Sequence, residues 1–409
     1  MSQTGRPPLS GIRVVDFTRV IAGPFCTQIL SDMGAEIIKI ENPDGGDDTR
    51  KGAGPRAGGP TGESHFFMTY NRGKKSVALD FTKPDGQKVV HKLLEKADVV
   101  IQNFRPGVLK RYGLDYPSVQ EKNPKLIYVS ISAYGQTGPL SDRPGYDPVL
   151  QGESGMMSVN GEADGEGMRH AIAIVDTMTG IHAVAAINAA LYARDSTGHG
   201  TGKGQHIDLA LYDTALACLG NMGSYYLIGG DQPRRAGNGH FASAPNGSFE
   251  TANGKIYMAV ANQKLFTDTC KALGHPEWVT DPRFLAYGDR RNNWSELMDG
   301  VEAWSRTVTT EKCLAELNRE GVPSSAYRTV AAALADPQIA HRRALAEVED
   351  GGGIFRMMNL PFRMSGARVA AGRRVATLGE HTRALLKETG LSEAQIAAFS
   401  GRPLVAEGR

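Results

Sequence analysis

Residues 12–41 read IRVVDFTRVIAGPFCTQILSDMGAEIIKIE, and this stretch decides the fold. Its two ends, IRVVDF (12–17) and EIIKIE (36–41), are short runs rich in β-branched residues, which is typical of strands. The segment between them has a proline near its start and a glycine at its end, as helices often do. The stretch therefore predicts a strand–helix–strand unit.

The same alternation continues to about residue 135. A helix is predicted from about Thr82 to Ala97, where Thr82 and Asp85 form a capping-box pattern. Its apolar face comprises Val89, Val90, Leu93, Leu94 and Ala97. Strands are predicted at 98–104 and 125–132. Repeated crossovers of this kind predict a mostly parallel sheet covered by helices, an α/β fold.

Two breaks in composition divide the rest of the chain. GGDQPRRAGNG (229–239) indicates a linker, and the strand and helix patterns after it suggest a smaller α+β unit. DGGG (350–353) precedes a last segment that contains helical patterns. Before the first break, 176–194 is predicted to be one long helix with small residues at near-helical spacing, which allows another backbone to pack close.

Composition excludes several classes of protein. The 46 Lys and Arg against 44 Asp and Glu leave a net charge of +2, whereas nonspecific nucleic-acid binding needs concentrated positive charge. No stretch approaches the roughly 18 uninterrupted apolar residues of a membrane span, and the first ten residues lack the apolar core of a signal peptide. We expect a cytoplasmic protein with neither nucleic acid nor membrane as a partner. Glycine is frequent, at 49 of 409 residues, so many tight turns are expected.

The standard motifs of nucleotide, metal and hydrolase sites are missing. After the first strand the chain reads DFTRVIAGPFC rather than GxGxxG, and YNRGKKS (70–76) lacks the first glycine of a P-loop. The sequence contains neither an HExxH pair nor a GxSxG elbow. We therefore expect no metal site and no serine hydrolase of the common α/β type.

Two basic clusters follow predicted strand ends. The first comprises Arg72, Lys74 and Lys75, and the second Arg105, Lys110 and Arg111. Cations at the carboxyl ends of parallel strands suit a phosphorylated ligand, but solvated surface charge explains both clusters equally well. The glycine-rich stretch 52–63 reads either as a mobile lid over a site or as a plain surface loop.

Asp176 is the most informative carboxylate. It follows the apolar run AIAIV (171–175) and precedes the long helix, which places it at a strand-to-helix junction. A helix N-cap is the simple interpretation. The functional one is a nucleophile, since the amide dipoles of a helix N-terminus would keep the carboxylate ionised.

Several long blocks of the sequence resemble the class III CoA-transferase family. That family includes formyl-CoA:oxalate and carnitine CoA-transferases, and the α-methylacyl-CoA racemases are related to it. The similar blocks include LSGIRVVDFTRVIAGPFCTQILSDMGAEIIKIENPDGGDDTR (9–50), NRGKKSVALDFTKPDGQ (71–87), ADVVIQNFRPGVLKRYGL (97–114) and AIVDTMTGIHAVAAINAALYAR (173–194). The resemblance is strong over about 1–215 and continues beyond.

The resemblance implies an interlocked homodimer with a large Rossmann-like domain and a small α+β domain. On this basis we expect the large domain to span 1–225, the small domain to span 226–330, and the C-terminal segment 331–409 to return to the large domain.

The resemblance also implies a reaction. The family's catalytic aspartate matches Asp176, which would attack the thioester of an acyl-CoA and carry CoA to a carboxylic acid. CoA would be a substrate, with no tightly bound cofactor. By the family's pattern, the residues that contact CoA or lie near the thioester are Lys74 or Lys75, Asn103, Phe104, Arg111 and Tyr134.

Departures from the family's pattern narrow the function. Racemases of the family use a histidine where this chain has Tyr146, so transfer is favoured over racemisation. Formyl-CoA:oxalate transferases carry Gln at the position of Ile21 and Trp at that of Gly52. Their glycine-rich active-site loop is replaced here by GNGHFASAP (237–245). Because of these departures, oxalate and formate are not expected as substrates.

The leading expectation is a small dicarboxylate system, such as succinyl-CoA with an itaconate- or mesaconate-like acid. Arg50, Arg169 and His240 are candidates to pair with a distal carboxylate, although a surface role is the default for each. An acyl-CoA racemase and a non-catalytic CoA-binding protein remain the alternatives.

Overall fold

The computed structural model describes residues 5–59, 62–240, 243–350, 352–372 and 374–399. Its strands are β1 (Arg13–Asp16), β2 (Glu36–Glu41), β3 (Lys75–Ala78), β4 (Val99–Gln102), β5 (Ile127–Ser132), β6 (His206–Ala210), β7 (Asn246–Thr251), β8 (Gly254–Ala259), β9 (Ser324–Ala326), β10 (Leu345–Asp350) and β11 (Gly353–Met358).

The α-helices alternate with these strands in the first half of the chain. They are α1 (Ala22–Asp32), α2 (His65–Asn71), α3 (Pro84–Leu94), α4 (Tyr116–Val119), α5 (Asp147–Glu153), α6 (Met156–Val159), α7 (Ile174–Asp195), α8 (Leu211–Cys218), α9 (Asn221–Gly229), α10 (Gln263–Leu273), α11 (Tyr287–Asn292), α12 (Trp294–Ser305), α13 (Thr310–Arg319), α14 (Val330–Leu334), α15 (Pro337–Arg342), α16 (Thr382–Glu388) and α17 (Glu393–Phe399). Short 3₁₀ helices lie at Asp48–Lys51, Leu109–Tyr112 and Pro276–Val279.

The chain folds into two compact units. The first contains Met1–Ser154, Ala171–Cys218 and Pro337–Arg409, and the second contains Gly155–His170 and Leu219–Asp336. The sequence placed the boundaries at 225/226 and 330/331, several residues away from these positions. It also gave 155–170 to the large domain, because no change of composition marks that short excursion.

A six-stranded parallel sheet forms the centre of the first unit, in the order β3-β2-β1-β4-β5-β6. The predicted α/β fold with a parallel sheet is confirmed. Strand β3 has no counterpart among the predicted strands, because the polar run Lys74, Lys75 and Ser76 leaves only two apolar residues in the strand. The direction of strand order reverses between β1 and β4, and ligands of open α/β sheets bind at the carboxyl ends of such neighbouring strands.

One face of this sheet packs against α3 and the C-terminal helices. The apolar residues predicted for α3 are buried with Val15, Val100 and Leu386 in one core. The predicted capping box is wrong, since the N-cap is Lys83 and makes no side-chain cap. Thr82 instead donates from its amide and its hydroxyl to Asp80.

Helices α1 and α7 pack closely against each other. A Cβ at Gly180 would lie 2.8 Å from the carbonyl oxygen of Ala22, so only glycine permits this approach. Among the described helices, α7 is the one long and apolar enough to cross a membrane by length and composition. A core helix passes the same test, and Val175, Ala183 and Ile187 of α7 are fully buried.

The second unit has its own core. Strands β7, β8 and β9 form an antiparallel sheet, and helices α10, α12 and α13 contact it or each other. Phe249, Met258, Phe266 and Leu297 are almost completely buried in this core.

Candidate active site

Asp176 lies in the first turn of α7. The helix begins at Ile174 and its N-cap is Ala173, so Asp176 is neither an N-cap nor the end of a strand. The predicted strand-to-helix junction is therefore wrong, because the apolar run 171–175 already contains the start of the helix. Asp176 is partly buried, and its carboxylate has no hydrogen-bond partner within the described ranges.

The amides that would stabilise Asp176 are used by another carboxylate. The backbone N–H groups of Val175 and Asp176 donate to Oδ2 of Asp147, at 2.7 and 3.1 Å. Asp147 begins α5, is buried, and accepts a further bond from Gln151 on Oδ1. The free end of the α7 dipole is thus neutralised by Asp147 rather than by Asp176.

This arrangement raises the pKa of Asp176 to about 7, first through burial and second through the negative charge of Asp147. The expectation that the helix dipole keeps Asp176 ionised is therefore wrong. A carboxylate whose pKa lies near neutrality is ionised in a large fraction of molecules and remains basic and reactive.

Asp176 lines a cavity of about 120 Å³. The loop after β1 and the first residue of α1 contribute Arg19 through Ala22, the end of β5 contributes Ile131 through Ala133, and Tyr146 also lines the cavity. These residues follow the carboxyl ends of parallel strands, the usual position for a ligand site. The structure therefore brings Ile21, Tyr146 and Asn103 together with Asp176 around one cavity.

A second cavity of about 120 Å³ opens above β1, β2 and β3. Arg19 lines both cavities, and Phe104, Phe81 and Asp47 line the second. Asn103 bridges the two loops at the point of strand reversal, because its Oδ1 accepts from the Arg19 amide at 2.9 Å and its Nδ2 donates to the Arg19 carbonyl at 2.8 Å. The Arg19 guanidinium lies 5.3 Å from the centre of the Phe104 ring.

Beneath the two cavities lies a buried ion network. The ammonium of Lys74 is 3.2 Å from Asp16 Oδ2 and donates to the Pro24 carbonyl and to Asn71 Oδ1. Lys39 is 2.9 Å from Asp47 Oδ2 and donates to the Thr18 carbonyl. The Lys74 ammonium is fully used inside the protein, so a direct contact with CoA from this position is not supported.

The network also holds the loop that faces Asp176. Val20 has a φ of 72°, in the left-handed region that β-branched residues rarely adopt. Its amide donates to Asp47 Oδ1 at 3.5 Å, and Asp47 also caps the 3₁₀ helix that starts at Asp48. Strained backbone is retained where its surroundings impose it, often beside functional sites.

The other basic residues predicted to bind CoA are distributed differently. Lys75 pairs with Glu36, at the start of β2, and points away from the carboxyl ends of the strands. Arg111 is exposed at the end of a 3₁₀ helix, and the residues that line the two cavities do not include it. Tyr134 is half-buried next to Ala133, donates to the carboxylate of Glu153, and packs against Tyr212 with ring centroids 5.7 Å apart.

Arg50 is buried, so the default expectation of a surface position is wrong for this residue. Its guanidinium donates in bidentate fashion to Glu41, at 2.8 Å to each oxygen, and also pairs with Glu63. Two residues of the glycine-rich stretch 52–63, residues 60 and 61, lie outside the described ranges. The described part is anchored by a hydrogen bond from the Ala57 amide to the Glu63 carbonyl.

His240 and Arg169 belong to the second unit. The loop 237–245 that contains His240 includes residues 241 and 242, which lie outside the described ranges. A role for either side chain with substrate stays a prediction. Among the described residues, no group of three or more His, Cys, Asp or Glu is arranged to hold a metal ion.

Sequence reasoning missed Asp147 and Tyr70. Asp147 directly follows Tyr146, but nothing in the sequence shows that it binds the first turn of a helix 29 positions later. Tyr70 packs edge-on against Phe25, with ring centroids 5.8 Å apart, and Phe25 touches α7 at Gly180. Burial and the charge of Asp176 raise the pKa of Tyr70, which adds a phenol to the surroundings of the carboxylate.

Comparisons with known proteins agree over nearly the whole chain. The sequence pattern of CoA-transferase family III matches residues 9–382. The chain is 40% identical over 388 residues to the succinate–glutarate CoA-transferase of Agrobacterium fabrum, covering 94% of this chain and 96% of the relative. It is 37% identical over 390 residues to the acetyl-CoA:oxalate CoA-transferase of Acetobacter aceti, covering 95% and 97%. The crystal structure of a CAIB/BAIF family protein from Brucella suis superposes with a TM-score of 0.83 at 38% identity, covering 94% of this chain and 100% of that chain.

Proposed function

Because the chain belongs to CoA-transferase family III, we propose that it moves CoA from an acyl-CoA to a carboxylic acid through covalent intermediates on Asp176. The observation that carries this proposal is the Asp176 carboxylate. It has no hydrogen-bond partner in the described part of the chain, has a pKa of about 7, and lines a cavity at the carboxyl ends of the strands.

The first half of the reaction charges the enzyme with CoA. An oxygen of Asp176 attacks the thioester carbonyl of the donor, the C–S bond breaks, and an aspartyl anhydride and CoA thiolate result. The thiolate then attacks the Asp176 acyl carbon, which releases the donor acid and leaves an aspartyl-CoA thioester. The acid departs as a carboxylate, so no external proton donor is needed.

The second half repeats these steps with the acceptor. Its carboxylate attacks the aspartyl thioester to give a second anhydride and free thiolate. The thiolate attacks the acceptor's acyl carbon, and Asp176 leaves as a carboxylate. Covalent catalysis replaces one difficult exchange with several easier displacements.

Each attack develops an oxyanion that needs donors. We assign this role to the first turn of α1, which starts at the cavity wall with Ala22 and has no side-chain cap. Amide groups at a helix N-terminus stabilise negative charge. The network under Val20 would hold this turn in place during the reaction.

CoA would extend from one cavity to the other. The nucleotide would occupy the cavity above β1, β2 and β3, with Phe104 and the Arg19–Asn103 bridge at its border, and the thioester would reach Asp176. Arg19 is a cation that lines both cavities. Contacts from Arg111 and Tyr134 to CoA remain part of this proposal, whereas Lys74 is assigned to the support of the site.

For substrates we propose succinyl-CoA as donor and a short dicarboxylic acid as acceptor, glutarate before itaconate or mesaconate. The similarity to the succinate–glutarate enzyme supports this choice. A relative that uses oxalate is nearly as similar, so oxalate belongs among the acids to be tested even though Ile21 and Gly52 depart from the formyl-CoA:oxalate pattern.

We further propose an interlocked homodimer with a Rossmann-like large domain, located in the cytoplasm. Helix α9 supports association, because Leu227 and Ile228 are 82% and 88% exposed in the single chain. Large apolar side chains left in water at neighbouring positions are typical of surfaces that bind another protein chain.

The test is a donor and acceptor screen. Purified protein is mixed with succinyl-CoA and, separately, glutarate, itaconate, mesaconate and oxalate, and new CoA thioesters are detected by mass spectrometry. Glutaryl-CoA is expected to form fastest, and the Asp176→Ala variant should form none. Absence of transfer to every acid, or deuterium uptake from solvent at the α-carbon of a branched acyl-CoA without an acceptor, would contradict the proposal.

A further inference from the structure

A larger cavity lies in the C-terminal part of the first unit. Its volume is about 480 Å³, and its walls are the end of α15, the start of β10, and the chain from 359 to 371. None of the residues that line it lines the cavities of Asp176 or Arg19. The proposed CoA-transfer reaction therefore does not use it.

The walls carry an unusual charge. Four arginines line the cavity, against one carboxylate from Glu347: Arg342, Arg343, Arg363 and Arg368. Within the described ranges none of the four forms an ion pair. Other arginines of the same unit, such as Arg13, Arg50 and Arg194, are paired with carboxylates. Four cations around one concavity with a single carboxylate repel each other, so their arrangement favours an anion.

The backbone of the cavity is firmly built. Asn359 connects three parts of the wall, because its Nδ2 donates to the Arg343 carbonyl at 3.2 Å and its Oδ1 accepts from the amides of Leu360 and Ala371 at 2.9 and 3.1 Å. Arg363 donates to the His341 carbonyl at 3.3 Å. Arg343 itself has a φ of 48°, in the left-handed region, which is uncommon for an arginine. Such strain persists where the surrounding structure imposes it and often marks a functional position.

We propose that this cavity binds a small polyanion that carries two or more phosphate groups. The volume is within the range of small-molecule sites, roughly 300 to 1,000 Å³. Guanidinium groups match phosphate in bidentate geometry. One short dicarboxylate carries too little charge to compensate four arginines, whereas a di- or triphosphate chain carries enough. The proposal concerns a site separate from Asp176 and does not depend on the substrates of the transfer reaction.

The test is calorimetric titration of the full-length protein with inorganic tripolyphosphate in the absence of CoA, because CoA itself carries a diphosphate and a 3′-phosphate and would also suit this cavity. The parent protein should bind tripolyphosphate, and the affinity should fall as salt rises, because the contacts are ionic. Absence of binding would overturn the proposal.

Variants of the cavity provide the specific control. Arg342→Gln combined with Arg368→Gln removes two exposed arginines that make no ion pair with the described residues, and should weaken binding at least about tenfold, since charge-assisted contacts are lost. The matched control is Arg383→Gln on α16, where Arg383 pairs with Glu393 outside the cavity; its affinity should be unchanged. Equal binding by the double variant would overturn the proposal.

Two further ligands, ATP and succinate, test which class of anion the cavity binds. ATP is expected to bind with an affinity close to that of tripolyphosphate if the phosphate chain is recognised, and more tightly if the nucleoside also contributes. Either result supports a polyphosphate site. Succinate binding as tightly as tripolyphosphate would contradict it. CoA-transfer activity of the double variant should stay within about twofold of the parent, as for surface changes away from a site.

Discussion

Two carboxylates of the first unit have pKa values that are shifted in opposite directions. Asp16, at the end of β1, is fully buried, and burial alone would raise its pKa, but Lys74, Lys39 and the hydroxyls of Thr18 and Thr27 together lower it. Asp176, in the first turn of α7, is less buried, yet burial and the charge of Asp147 raise its pKa to about 7.

The two pKa shifts differ because the carboxylates have different hydrogen-bond and ionic partners, and not because they are buried to different depths. Asp16 has every oxygen engaged by a cation or a hydroxyl, so its charge is stable and its nucleophilicity is low. Asp176 has lost the amides of its own helix to Asp147 and faces a cavity. A paired buried charge supports the structure, and an unpaired one at a cavity is available for chemistry.

Removing Asp176 should have the largest effect on activity. The Asp176→Ala variant loses the proposed nucleophile, and kcat for transfer should fall by roughly 10⁴-fold or more, as in other enzymes that lose the attacking group. Circular dichroism should show an unchanged fold. A variant that retains more than a few per cent of the parent's kcat would show that Asp176 is not the nucleophile.

Removing the cation that pairs with Asp16 should reduce the stability of the protein. Lys74→Met leaves Asp16 without its nearest cation, and the free energy of unfolding should fall by about 3–5 kcal/mol. Urea denaturation measures this change. The neighbouring Lys75→Met is the matched control, because Lys75 forms a half-exposed pair worth about 0–1 kcal/mol.

The Lys75→Met variant also tests whether Lys75 binds CoA. KM for the acyl-CoA should be unchanged in Lys75→Met, since this side chain points away from the cavities. An increase of KM by about tenfold or more in Lys75→Met would indicate that Lys75 contacts CoA. That result would contradict the position of Lys75 away from the cavities.

Neutralising Asp147 should shift the pH dependence of the reaction. The nucleophile must be ionised, so kcat of the parent should rise as pH increases through about 7. Asp147→Asn removes the negative neighbour, lowers the pKa of Asp176, and should move this rising limb to lower pH by about one unit. Glu153→Gln, on the same helix, is the control and should leave the limb in place.

A smaller effect is expected on stability as a function of pH. Because the folded protein raises the pKa of Asp176 from 3.8 to about 7, ionisation of this group costs stability, and the cost grows as pH rises to about 7. Asp176→Asn should therefore melt at a higher temperature than the parent at about pH 8. The difference in melting temperature should narrow towards about pH 4. A variant that is less stable than the parent at about pH 8 would show that the ionised Asp176 carboxylate does not destabilise the folded protein.

The sequence was informative where the signal is local. β-branched runs and helix periodicity predict β1, β2, β4, β5 and the parallel sheet, and the resemblance of 173–194 to the family singles out Asp176. Contacts between distant segments were not predictable. Asp147 acts on the start of α7, and Lys74 turns inward to Asp16, because the fold brings these residues together.

The charges show the same limit. A sequence pattern cannot distinguish a cation that faces a ligand or solvent from one that completes a buried ion pair. Lys74 was therefore a candidate to bind CoA, and Arg50 was expected at the surface with substrate pairing as the alternative. Both are consumed by internal carboxylates. Likewise, the helix dipole predicts an ionised Asp176 until the structure shows that Asp147 takes the amides.

The central claim, that Asp176 carries CoA covalently, has one direct measurement. The protein is incubated with succinyl-CoA without acceptor, quenched, digested, and the peptide that contains Asp176 is analysed by mass spectrometry. We predict a thioester-linked CoA on Asp176, which disappears when glutarate is added. Continued transfer to glutarate with no CoA bound to this peptide would contradict the account.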